Sequence, residues 1–197
     1  MSVTAIFGGT FNPFHIGHYE MLAAINDLSF VDEIFVMPDK IPPHKICDFL
    51  ASDKDRIEMC KIACKDFNKA KLCLIEFERD GKSYTYDTVC ALKEKYPDKE
   101  FYLVCGGDMI TSFKTWYNWD VLLKEVGILA FYRVGEGEKF DTEIASLKNL
   151  GGKITLVNKD ITEVSSTELR KNIESDKNTK LIPKDILTYI NEKGLYY

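Results

Sequence analysis

The chain has 197 residues, 45% of them hydrophobic and 29% charged, proportions that fit one soluble globular domain able to bury a core without staples. Its 26 basic and 31 acidic side chains leave a net charge of −5, which argues against duplex nucleic acid as partner, since such binders rely on a basic surplus to neutralise phosphates. No stretch approaches the roughly 20 apolar residues of a membrane span, and the opening Met1-Ser2-Val3-Thr4 lacks the charged and long apolar regions of a secretory signal.

In chain order, short apolar runs alternate with longer helical patterns. Residues 3–7 read as the first strand, followed by a glycine turn and a helix over about 15–28. A second strand is expected at 33–38. The aperiodic stretch 39–52, with Pro42-Pro43, reads as a loop long enough to act as a ligand clamp. A helix over 53–67 carries Ile57, Cys60, Ile62 and Cys64 at roughly helical spacing. Strands at 71–75 and 101–105 enclose a helix over 85–96, and a short helix precedes Trp116. Strands at 127–132 and 153–157 and helices near 142–149, 166–173 and 183–192 complete the pattern. Strands and helices in strict turn imply a doubly wound, mostly parallel α/β sheet covered on both faces, in a single domain over 1–197. The six cysteines, Cys47, Cys60, Cys64, Cys73, Cys90 and Cys105, include no Cys-x-x-Cys pair. They are expected to be reduced and structural, in a cytoplasmic protein.

The chemistry concentrates directly after the first strand, in Gly8-Gly9-Thr10-Phe11-Asn12-Pro13-Phe14-His15-Ile16-Gly17-His18. Glycines there let the backbone approach a ligand at the carboxyl end of the sheet, where open α/β folds bind nucleotides. The following helix start offers open amides suited to phosphate. Two of the three histidines fall here, three positions apart, so in a helical first turn they face the same way. The dinucleotide fingerprint Gly-x-Gly-x-x-Gly is absent, which disfavours a protein that merely holds a dinucleotide cofactor. Ser165-Ser166-Thr167-Glu168-Leu169-Arg170 is a second helix start, with hydroxyls, open amides and an arginine able to fork two phosphate oxygens. On its own this element is a common cap; beside the histidine turn it becomes a second anion site.

These residues resemble the nucleotidyltransferase superfamily defined by an HxGH motif, here His15-Ile16-Gly17-His18. Within it the chain is similar to the bacterial nicotinate-nucleotide adenylyltransferases over nearly its whole length. Further matching segments are Ile41-Pro42-Pro43-His44-Lys45, Ser83-Tyr84-Thr85-Tyr86-Asp87-Thr88, Gly106-Gly107-Asp108, Thr115-Trp116-Tyr117 and the ending from Leu187 to Tyr196. One departure is Arg133-Val134-Gly135, where the family often has Arg-Pro-Gly. The resemblance implies catalysis by His15, His18 and Arg170. ATP would be bound by these with Gly8, Gly9, Thr10, Phe11, Gly106, Asp108, Ser166 and Thr167. The mononucleotide would meet Thr10, Asn12, His44, Lys45, Ser83, Tyr84, Thr85, Asp108 and Trp116. For Ser83–Thr88 simple helix capping competes with amides around Tyr84 and Thr85 receiving a carboxylate, the group that distinguishes nicotinate from nicotinamide. For Trp116 core packing competes with stacking on a pyridinium ring, and Trp119 is expected to pack. Asp108 suits ribose hydroxyls, although an aspartate after a strand also caps helices.

The implied reaction moves the adenylyl group of ATP onto the phosphate of nicotinate mononucleotide. The alternative is a nicotinamide-mononucleotide or dual-specificity transferase of the same superfamily. Mg²⁺ is expected on the triphosphate, with no protein cage of its own. The expected partners are the two small-molecule substrates, without nucleic acid or membrane and with a homo-oligomer left open.

Overall fold

The computed structural model describes residues 1–40, 50–79, 83–132, 137–173, 175 and 179–197. The strands are β1 (Ser2–Gly9), β2 (Glu33–Pro38), β3 (Ala70–Leu72), β4 (Lys99–Cys105), β5 (Gly127–Phe131) and β6 (Lys153–Val157). They form one six-stranded sheet in the order β3-β2-β1-β4-β5-β6, and every pairing is parallel. The helices are α1 (Ile16–Asn26), α2 (Asp53–Cys64), α3 (Thr85–Lys95), α4 (Gly107–Ser112), α5 (Trp119–Glu125), α6 (Gly137–Asn149), α7 (Ser166–Lys171) and α8 (Lys184–Lys193).

Strand side chains alternate between two cores, as a pleated sheet buried on both faces requires. Ala5, Phe7, Ile34, Val36, Tyr102, Val104, Leu129 and Phe131 pack with residues of α1, α2, α7 and α8. Ile6, Phe35, Met37, Leu103, Cys105, Ile128 and Ala130 pack with α3, α4, α5 and α6. The chain runs outward from β1 to β3 and then resumes at β4, on the other side of β1. The carboxyl ends of β1 and β4 therefore flank the topological switch point, where open α/β sheets bind ligands.

Four elements differ most from the sequence reading, while among smaller shifts β1 extends through Gly8 and Gly9 of the expected glycine turn. The strand expected at 71–75 ends at Leu72, and Ile75–Glu78 form a 3₁₀ turn that buries Ile75. This edge strand pairs only with three residues of β2, and a short apolar run does not distinguish strand from helical turn. The second helix ends at Cys64, and the one expected at 142–149 starts at Gly137, extending the buried stripe through Phe140, Ile144 and Leu147. Helix α5, with Leu122 and Leu123 buried, is too short to show a period.

Among the described residues, Cys60, Cys64, Cys73, Cys90 and Cys105 are free thiols. Burial pushes Cys64 and Cys105 up to about 12, which makes them chemically quiet.

Candidate functional site

The turn between β1 and α1 starts from strand pairing. Register sets Gly8 beside Met37 and Gly9 beside Pro38, and Gly8 is exposed at the end of the strand. The Asp39 amide donates to the Gly9 carbonyl at 3.0 Å, and the Thr10 hydroxyl to the Asp39 carboxylate at 3.2 Å. Phe11 takes a left-handed φ of 48°, a conformation that costs a bulky residue about 1–2 kcal/mol. Its ring is 1% exposed and meets Phe7 at 5.5 Å and Phe14 at 5.0 Å. Burying a phenyl group stabilises by about 1.5–3 kcal/mol, so ring packing holds the unusual backbone. With that ring inside the core, Phe11 can offer a ligand its backbone.

His15 is the N-cap of α1, and its ring closes a reciprocal cap with His18. The His18 amide donates to His15 Nδ1 at 3.4 Å, and the His15 amide donates to His18 Nδ1 at 3.3 Å. Backbone N–H groups are obligate donors, so each Nδ1 is an acceptor and the ring proton of each neutral imidazole sits on Nε2. The rings stack at 3.6 Å and 19°. His15 is 6% exposed, while half-buried His18 is walled by Phe11 at 5.0 Å and Phe14 at 5.3 Å. One capping arrangement thus ends the helix and sets two Nε2–H donors at its N-terminus.

Arg170 reaches the same turn from α7. Its Nη1 donates to the Asn12 carbonyl at 2.8 Å and its Nη2 to the Thr167 hydroxyl at 3.3 Å. Ser165 caps α7 by accepting from the Glu168 amide at 3.3 Å, with Ser166 and Thr167 in the first turn. The segment before α7 is pinned to α1: Thr162 donates its amide to Glu20 Oε2 at 2.6 Å and its hydroxyl to Oε1 at 2.9 Å. The imidazole pair and the guanidinium, far apart in sequence, converge on one turn.

On the β4 side, Gly106 caps α4 and Asp108 lies exposed in its first turn. Tyr84 is the N-cap of α3 and makes no side-chain capping bond, with Ser83 and Thr85 on either side of it. Below, Arg79 donates to the Thr88 hydroxyl at 2.6 Å, and Thr88 donates to the buried Glu76 carboxylate at 2.9 Å, which seats the start of α3. The Tyr117 ring stands 5.1 Å from Tyr84 and 5.9 Å from Tyr86, joining α3 to the segment carrying Trp116. Trp116 is half-buried against Phe113 at 5.1 Å, and Trp119 packs on the same core. His44, Lys45 and the segment 133–135 lie outside the described residues.

A family model described as cytidylyltransferase-like matches residues 6–172, from β1 through the end of α7. The chain belongs to that family. Its cytidylyltransferase-like relatives include the nicotinate-nucleotide adenylyltransferase of Bacillus subtilis (strain 168), 38% identical over 199 residues that cover 100% of this chain and 99% of the relative. Among solved structures, Plasmodium falciparum nicotinic acid mononucleotide adenylyltransferase complexed with NaAD is similar at a TM-score of 0.82, and the same protein complexed with APC at 0.81. Each is 25% identical, with 100% of this chain and 98% of the other covered.

Two residues that shape this cytidylyltransferase-like site carried little sequence signal. Arg56 on α2 is 0% exposed; its Nη1 donates to the Thr10 carbonyl at 3.0 Å and its Nη2 pairs with Asp53 at 2.6 Å. The clue was position, since Arg56 shares the buried face of α2 with Met59, Cys60 and Ala63. Tyr196, near the end of the chain, donates its hydroxyl to Asn12 Oδ1 at 2.7 Å, and the same oxygen accepts from the Ala51 amide at 3.1 Å. Asn12, read from sequence as a mononucleotide contact, is 2% exposed, and its two oxygens tie three distant segments to the turn.

The glycine of the motif makes a test of the α1 docking. A Cβ on Gly17 would stand 2.7 Å from the Thr162 carbonyl oxygen. Alanine favours a helix over glycine by about 1 kcal/mol, but overpacking against backbone costs about 1–3 kcal/mol. Gly17→Ala is therefore expected to lower the melting temperature by several degrees and to reduce kcat/KM for ATP, because the segment leading to α7 is pushed off α1. Thermal melts and initial rates check this; a variant matching wild type in both would refute the tight docking.

Proposed function

We infer that this chain transfers the adenylyl group of ATP to nicotinate mononucleotide, giving deamido-NAD and pyrophosphate in NAD biosynthesis. The observation that carries the reading is the meeting of His15, His18 and Arg170 on one turn at the sheet's carboxyl end. The names of the relatives supply the substrate class, and ATP is the co-substrate of that class.

The mononucleotide phosphate is anionic at neutral pH and needs no general base. One of its oxygens attacks the α-phosphorus of ATP in line; the new P–O bond forms as the bond to the β-phosphate bridging oxygen breaks, and that oxygen's electron pair leaves with pyrophosphate. Bringing two polyanions together is opposed by Coulomb repulsion unless donors and cations intervene, so catalysis here is positioning and charge stabilisation. In this reading the Nε2–H groups of His15 and His18 donate to the polyphosphate and Arg170 forks its oxygens. The first-turn amides of α7, with Ser166 and Thr167, hold its far end. Gly8, Gly9 and Thr10 let the chain approach ATP closely, with Gly106 and Asp108 across the switch point. On the mononucleotide side, Thr10, Asn12 and Asp108 line the phosphate and ribose, the amides near Ser83, Tyr84 and Thr85 take the carboxylate, and Trp116 stacks on the pyridine ring. The described residues contain no group of three or more His, Cys, Asp or Glu able to hold a metal. In this reading a Mg²⁺ would be carried by phosphate oxygens and water. Such an ion would supply charge neutralisation to the triphosphate. No described helix is long and apolar enough to cross a membrane. Our assignment of the activity to the cytoplasm rests instead on the metabolic enzyme named for the bacterial relatives.

The test is purified protein with ATP, Mg²⁺ and each mononucleotide, with products read by mass. A carboxylate held by charge-assisted bonds at a helix start contributes about 1.5–3 kcal/mol, so kcat/KM is expected to favour nicotinate over nicotinamide mononucleotide by roughly tenfold to hundredfold. Equal values would remove the carboxylate pocket and leave a dual-specificity transferase.

A further inference from the structure

The turn before His15 is gripped from both sides by guanidinium groups. Arg170 holds the Asn12 carbonyl and Arg56 holds the Thr10 carbonyl, at 2.8 Å and 3.0 Å, so the two clamps flank Phe11 and its left-handed φ of 48°. Arg170 was legible as a ligand-binding group. Arg56 is different: it lies wholly inside the protein and has no access to a substrate.

We propose that Arg56 is a positioning residue for adenylyl transfer, fixing the Thr10 carbonyl so that the phosphate-binding turn keeps one shape. The proposal rests on the adenylyltransferase reading and extends it to a residue that touches neither substrate. Its first support is energetic. Taking a guanidinium out of water costs several kcal/mol, and a buried charge repays this only with well-satisfied partners. Arg56 has a carbonyl and an Asp53 side chain that is itself 51% exposed, while its Nε finds no partner among the described residues. An apolar side chain of the same length would serve the core at least as well, so the charge is poorly explained by folding alone.

Its second support is geometric. In a planar trans peptide, the carbonyl of one residue and the N–H of the next point in opposite directions. Drawing the Thr10 oxygen toward α2 therefore turns the Phe11 N–H to the opposite side of the turn. The grip thus sets the direction of a backbone donor at the turn, and it adds to the ring packing that holds Phe11 in its left-handed conformation. Electrostatics agree. Burial pushes the Tyr196 hydroxyl up, with Arg170 and then Arg56 acting against it, so both cations act on a hydroxyl that donates to Asn12.

The experiment compares wild type with Arg56→Met and Arg56→Lys in thermal melts, in initial rates with ATP and nicotinate mononucleotide varied separately, and in ATP binding by calorimetry. Methionine fills the space without the donor, and lysine keeps one donor able to reach the Thr10 carbonyl. Arg56→Met is expected to melt within a few degrees of wild type yet lose at least tenfold in kcat and at least threefold in ATP affinity, with Arg56→Lys recovering part of both losses. A folded Arg56→Met with kcat and ATP affinity within twofold of wild type overturns the proposal. If Arg56→Met does not fold, Arg56→Lys decides: reduced kcat at an unchanged melting temperature supports the proposal, and wild-type kcat sinks it. A wild-type protein that binds ATP but makes no dinucleotide refutes the transferase reading instead, and the calorimetric comparison still judges Arg56.

Discussion

His18→Ala is expected to lower kcat by about 10²–10³, the usual consequence of removing one preorganised donor from a developing oxyanion, while the protein stays folded. The side chain has two tasks, and they separate. Its Nδ1 accepts from the His15 amide at 3.3 Å. Loss of a helix-end cap costs about 0.5–2 kcal/mol, which for a chain of this size lowers the melting temperature by a few degrees. Its Nε2–H is the donor proposed to face the polyphosphate. His18→Gln splits the two, because a glutamine at the third helical position accepts from the N-cap amide just as the imidazole does. The glutamine variant is expected to regain the wild-type melting temperature and to remain far below wild-type turnover. Alanine and glutamine variants that both turn over within threefold of wild type would rule out a catalytic imidazole. A glutamine variant that restored rate and stability together would reduce His18 to its capping role.

Much of this arrangement was legible in the chain because its signals are local. Apolar runs gave β2 and β6 at their observed bounds, since each is short and closed by turn residues. The His15–His18 pair was legible for the same reason: helix geometry alone puts positions three apart on one face. What local signals could not give is where distant segments land. Arg170 and Asn12 are 158 positions apart, with five strands of the sheet between them in the chain. Tyr196 reaches Asn12 across 184 positions. Arg56 was obscured by residue type, because an arginine on a helix reads as solvated unless its neighbours on the buried face are counted with it. The helical spacing of Ile57, Cys60, Ile62 and Cys64 marked the helix, and Cys60 lies in the core with Ile62 and Cys64 packed against it, but the fully buried face runs through Arg56, Met59, Cys60 and Ala63. Trp116 stays between its two readings for a physical reason: a half-buried indole on Phe113 has part of its surface in the core and part left open.

Arg170→Lys tests whether the second anion site works through a planar fork or through charge alone. The guanidinium carries five donors in a fixed plane. Two of its nitrogens are engaged within the chain, Nη1 on the Asn12 carbonyl and Nη2 on the Thr167 hydroxyl. The remaining N–H directions lie in the same plane, so the intramolecular bonds orient the edge presented to a ligand. An ammonium group keeps the charge but loses this geometry, since one nitrogen cannot hold the Asn12 carbonyl and bridge two phosphate oxygens at once. Charge-assisted hydrogen bonds contribute about 1.5–3 kcal/mol each, so losing one predicts a fall of about 10–100-fold in kcat/KM for ATP. The melting temperature should move by only a few degrees, because Arg170 is half-buried at the edge of the core. Arg170→Ala should fall further, having lost the charge as well. The order Arg > Lys > Ala in kcat/KM for ATP, at nearly constant stability, is what a forked polyphosphate contact requires. Equality of the arginine and lysine enzymes would mean that only net charge matters near α7. Equality of all three would mean that the polyphosphate never reaches α7 and that the convergence with the histidine turn serves folding alone.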